Sequence, residues 1–121
     1  MQHAAQAYKN VANEIASARE LEASLLLRSA ARFQAISDSW DRRSAELGDA
    51  LLFNRKLWTI FLTSVSRDDN PLPVEIRRNV ANLGMFVLKR TLRLTSNPHP
   101  DGLGTLININ RRLASGLRCK P

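Results

Sequence analysis

The apolar positions from Ser44 to Ser66, SAELGDALLFNRKLWTIFLTSVS, do not fit a single stripe. At about 100° per residue, Leu47, Ala50, Leu51, Asn54, Trp58, Phe61 and Val65 share one face of a helix, while Phe53, Leu57 and Ile60 share a second. A helix apolar over most of its circumference must be surrounded by other helices or must receive a partner, so this segment is predicted at the centre of the fold.

Helical spacing recurs along the rest of the chain. Residues 1–16 place Tyr8, Val11, Ala12 and Ile15 on one side among Gln, Asn and Lys, which predicts an N-terminal arm or short helix. Ser17 and Glu20 have the spacing of a capping box, so the first main helix is expected to start there, with Leu26, Leu27, Ala30 and Phe33 facing the core. Asp38 is the expected stop, and Trp40 fills the corner or a binding site. The prolines of SRDDNPLP and of SNPHPDG break the pattern twice more.

Between those breaks, residues 73–95 again carry two stripes. One is Ile76, Val80, Leu83, Val87 and Leu94, and the other is Ala81, Met85, Leu88 and Leu92. Gly84 is expected to admit another backbone at close range. The last helix places Leu103, Leu106, Ile107, Leu113 and Leu117 on one face with Asn110 among them. The expectation is an all-α, small single-domain bundle of four main helices, at about 17–37, 41–66, 73–95 and 102–118. The arm is residues 1–16 and the helical domain residues 17–121.

Composition narrows the function. A chain of 121 residues has room for one core. No signal-peptide pattern and no apolar run of membrane-spanning length is present, which predicts a cytoplasmic protein without membrane insertion. Cys119 is the single cysteine, so it can link only to another chain. The net charge of +7 is unevenly placed: residues 1–69 hold nine Lys/Arg and nine Asp/Glu, whereas residues 70–121 hold nine and two. A basic second half suits an anionic partner or serves as a solvated face. Most of the acidic residues, including Glu20, Glu22, Asp38, Asp41, Glu75 and Asp101, are expected near helix starts.

Candidate chemistry is sparse. His3 and His99 have no carboxylate or thiol at metal-ligand or triad spacing, and neither GxGxxG nor a P-loop occurs. No catalytic, cofactor or metal residue is therefore assigned, and no enzyme is expected. Polar residues on apolar faces remain. Asn54 and Asn110 need partners, either across helices to fix the bundle register or on the backbone of a bound peptide. Arg55 flanks the main stripe, where its guanidinium can reach an acidic group, and Met85, Leu88 and Leu92 pack on the first helix or form an adaptable groove.

Asn54-Arg55-Lys56-Leu57-Trp58, then Leu72-Pro73, then Arg77, Asn79-Val80, Leu83-Gly84 and Phe86-Val87, and finally Leu106-Ile107, Ile109-Asn110-Arg111 and Gly116-Leu117 occur in one order. With Tyr8 and SARELEASLLLRSAARFQA, this pattern resembles the flagellar biosynthesis regulator FlaF family of alphaproteobacteria, and it covers most of the chain. The resemblance implies a cytoplasmic factor for flagellum biogenesis that binds flagellin as a secretion chaperone and regulates its production. It also implies a link to the regulator FlbT. Asn54, Arg55, Leu57, Trp58, Arg77, Asn79, Gly84, Asn110 and Arg111 carry over by motif. The expected partner-binding set is Asn54, Arg55, Trp58, Arg77, Asn79, Met85, Leu88, Leu92, Asn110 and Arg111, with Arg77, Arg78, Arg90, Arg93, Arg111 and Arg112 orienting a terminal flagellin helix. The rival readings are an RNA-binding regulator of flagellin mRNA and an adaptor acting through FlbT.

Overall fold

Residues 2–118 are described by a computed structural model. The order is α1 (Gln2–Asp38), α2 (Trp40–Arg43), a 3-10 turn (Ser44–Glu46), α3 (Leu47–Val65), α4 (Val74–Ser96), a second 3-10 turn (Pro100–Gly102) and α5 (Leu103–Arg118). Among the described residues there is no strand, and the expected all-α bundle of four main helices is what forms. Cys119 lies outside the described residues.

The first helix corrects one expectation. It does not begin at a Ser17 cap but runs unbroken from Gln2, with Ser17 and Glu20 inside it. Residues 2–16 contain no Gly or Pro and are rich in Ala, so nothing in the backbone stops a helix seeded by the Ala- and Leu-dense part from extending upstream. Glu20 and Glu22 are consequently mid-helix carboxylates, not first-turn ones, and Glu20 takes up Arg118 of α5 at 2.7 Å. Residues 3–18 are all exposed. Residues 3–14, about 18 Å of helix at 1.5 Å per residue, project past the bundle.

α1 packs most extensively on α5 and also on α3, while α3 packs on α4. Sequential long helices run antiparallel, as short connections require. The core holds Leu26, Ala30, Phe33 and Ile36 from α1, the whole main stripe of α3, Val80, Val87 and Leu94 from α4, and Leu103, Leu106, Ile107 and Ala114 from α5. The second stripe of α3 divides: Leu57 is buried, Phe53 is half-buried and Ile60 is exposed. Trp40 opens α2 and packs, half-buried, against the core at the α1–α3 corner.

Gly84 does allow a close approach, but by a side chain. A Cβ at this position would lie 2.6 Å from Leu62 Cδ2 and 2.8 Å from its Cγ, so α3 seats Leu62 directly on the α4 backbone. Leu62 fills the notch because α3 and α4 are adjacent antiparallel helices, whose side chains reach the facing axis before their backbones do.

Candidate functional site

The interior is tied together by a polar chain whose direction is set by one donor. The indole N–H of Trp58 can only donate, and it donates to Asn110 Oδ1 at 2.9 Å. Asn110 must then present its Nδ2, which donates to Asn54 Oδ1 at 2.8 Å. The same oxygen accepts from Ser29 Oγ at 2.9 Å. Three helices, α1, α3 and α5, are thereby held in one register through side chains that are all buried. Asn54 Nδ2 is left buried without a partner among the described residues.

Asn54, Trp58 and Asn110 thus lie inside the bundle and bond to one another across helices, which is the first of the two roles open to the asparagines. Ser29 completes the set and was not among the expected residues. Its position beside Leu26, Ala30 and Phe33 on the α1 apolar face was the available signal.

The remaining expected residues are scattered over the surface. Arg55 and Asn79 are exposed, and Arg55 forms no ion pair among the described residues. Arg77 is used locally: its Nη1 donates to the Arg67 carbonyl at 2.8 Å, closing the α3–α4 loop, and its Nε is buried without a partner. That loop is shaped by Asn70, which donates to the Ser64 carbonyl and accepts from Leu72 N–H. Arg90 lies 5.3 Å from the Phe86 ring centroid. Arg78, Arg93, Arg111 and Arg112 are exposed. Met85 and Leu92 are exposed and Leu88 is half-buried, so this face of α4 does not pack on the first helix.

Two depressions among the described residues bear on binding. One, of about 450 Å³, is a shallow dip between α1 and α5 lined by Leu27, Arg111, Ser115 and Arg118. The other, of about 440 Å³, is a cleft at the end of the bundle where all four long helices meet. α1 gives it Ile15, Ala18, Arg19 and Glu22; α3 gives Phe61, Ser64 and Val65. The loop adds Asn70, Pro71 and Leu72, α4 adds Ile76 and Val80, and α5 adds Leu113, Gly116 and Leu117. Of the two, the cleft has the character of a docking site: mainly apolar walls with a few polar groups. Burial against these walls raises the Glu22 carboxyl above its ordinary value, an effect that Arg19 partly offsets.

The cleft does not end at the bundle. Tyr8, Val11 and Ile15 are exposed on the projecting part of α1, at the spacing that carries the same stripe into the cleft through Ile15 and Ala18. A strip of apolar surface several turns long thus leads into a concave end.

Among the described residues, no group of three His, Cys, Asp or Glu side chains is placed to hold a metal ion. No helix among them is long and apolar enough to cross a membrane. Comparison with curated proteins and with solved structures gave no match. The family model described as flagellar protein FlaF matches residues 4–117, which include the projecting helix, both halves of the polar chain and every element of the cleft. The chain belongs to the FlaF family of flagellar proteins.

Proposed function

We propose that this protein binds flagellin in the cytoplasm and acts as its secretion chaperone and as a regulator of its production. The observation that supports this reading is the continuous apolar surface formed by the projecting part of α1 and the four-helix cleft. An amphipathic helix laid along Tyr8, Val11 and Ile15, with its end between Ile76 and Leu117, would bury its apolar face as helix-in-groove partners do. Terminal flagellin segments, which are amphipathic and unfolded before export, have that character. The mechanism is stoichiometric: the occupied cleft hides the apolar face that would otherwise engage another flagellin subunit.

Relative to the sequence pattern, the proposed groove moves from the outer stripes of α3 and α4 to the end of the bundle. There apolar side chains from all four long helices surround a concave space. Calorimetry of the full chain with purified flagellin, and with peptides from each flagellin terminus, tests the reading. The expected result is one-to-one binding that falls at least about tenfold, 1.4 kcal/mol, in Ile15→Asp and Ile76→Asp, two exposed positions whose substitution spares the core. No binding to flagellin, together with salt-sensitive binding of the flagellin leader RNA, would replace this reading with the RNA-binding one.

A further inference from the structure

α4 carries an apolar stripe that the other helices cover only in part. Ala81, Met85, Leu88 and Leu92 repeat at spacings of four, three and four, which is the a/d spacing of a coiled-coil seam. The stripe points about 100° away from the buried face of Val80, Gly84, Val87 and Thr91. Met85 is 52% exposed and Leu92 64%. Over three turns of helix, about 16 Å, the stripe is thus open at Met85 and Leu92 and half-buried at Ala81, which packs against the core, and at Leu88.

The charges beside the seam are all of one sign. Arg78 continues it one heptad before Met85, and Lys89 and Arg93 border its outer side. All three are exposed, and none forms an ion pair among the described residues. After Glu75 the chain has no carboxylate until Asp101. The inner side of the seam is closed by Gly84 and Thr91, which are buried, so an incoming helix meets only the basic side.

We propose that this seam docks an amphipathic helix of a partner protein, with an apolar 3-4 seam of its own edged by Asp or Glu. Charge complementarity selects that occupant. A second copy of this chain, packed antiparallel about a two-fold axis, would set the basic side of one α4 against the basic side of the other. A lipid surface would gain little from two exposed apolar side chains and a half-buried third, far less than an interfacial helix buries. Nucleic acid would satisfy the cations and leave Met85 and Leu92 uncovered. The seam shares no residue with the cleft lining, so this docking does not rest on the flagellin reading.

The test uses the full chain and two labelled synthetic helical peptides with the same leucine seam, one edged by Glu and the other by Lys, followed by fluorescence anisotropy. The Glu peptide is expected to bind about tenfold or more tightly than the Lys peptide at low salt, with the ratio shrinking as salt rises. Met85→Asp and Leu92→Asp abolish that binding while the thermal melt is retained, since both side chains are exposed. The pair Lys89→Glu with Arg93→Glu reverses the preference between the two peptides. Equal affinity for the two peptides, binding of neither, or unchanged binding by Met85→Asp overturns the proposal. A wild-type dimer in sedimentation that Met85→Asp splits also overturns it, because a second copy then covers the seam.

Discussion

Replacing Asn110 with Leu keeps the branched four-atom side-chain skeleton, although a bulkier one, while removing both polar functions at the centre of the bundle. The substitution deletes the acceptor of the Trp58 indole N–H and the donor to Asn54 Oδ1. Each lost bond is worth about 1 kcal/mol net, and the indole N–H left in a dry interior adds about 1–3 kcal/mol. Burial of the leucine returns part of this, so the expected loss is about 2–4 kcal/mol, on the order of 10 °C in Tm for a domain of this size. Urea unfolding followed by far-ultraviolet circular dichroism gives the value without relying on the fluorescence of the tryptophan being perturbed.

A double-mutant cycle with Trp58→Phe then isolates the coupling. The phenylalanine ring has no N–H to strand, so in the Asn110→Leu background the Trp58→Phe change should cost about 1–2 kcal/mol less than in the wild type. If the two changes add to within about 0.5 kcal/mol, or if Asn110→Leu is neutral, the polar chain does not hold the register and the reasoning fails.

Three other outcomes follow from the packing and the charges. Gly84→Ala gains about 1 kcal/mol of helix propensity but drives Cβ into Leu62, so a net loss of up to about 2 kcal/mol is expected in thermal melts, and Gly84→Val should lose more. Because the folded Glu22 carboxyl is raised by burial above its ordinary 4.5, its ionised form weakens the fold. The penalty is full above the raised value and gone below the unfolded one, so Glu22→Gln should stabilise the protein at neutral pH and lose that advantage as the pH falls through this window. Urea midpoints at several pH values check the sign. Arg118→Ala breaks an exposed pair with Glu20 and should cost less than about 1 kcal/mol, measured as a small shift in Tm.

How far the sequence reveals this molecule depends on whether a feature is local. The main stripe of α3 was readable in full, because seven positions at helical spacing leave little choice of face, and all seven are buried. The prolines placed the breaks before α4 and α5 for an equally local reason. Ser17 and Glu20 misled because a capping box is a permissive signal: without a breaker upstream, an Ala-rich segment continues as helix.

Asn54 and Asn110 were legible as buried amides, yet their bonding required knowing which helices face each other across intervals of more than fifty residues. The cleft was not legible at all. Ile15, Phe61, Leu72, Ile76 and Leu117 come from five separate segments, and only the antiparallel packing of the long helices brings them to one end. The excess apolar surface first noted between Ser44 and Ser66 is thereby divided. Most of it is core, Phe61 and Val65 face the cleft, and Ile60 alone among the stripe residues remains largely in solvent.

The claim that a flagellin helix occupies the cleft and the projecting part of α1 is tested most directly by amide hydrogen exchange of the full chain with and without flagellin. Residues 3–18 form an exposed stretch of helix whose amides are expected to exchange rapidly when the chain is alone. Flagellin should slow exchange at residues 8–18, in the loop at residues 70–72 and in the last turns of α5, while leaving the Met85–Leu92 face of α4 unchanged. Protection confined to that face of α4, or none at residues 8–18, would contradict the account.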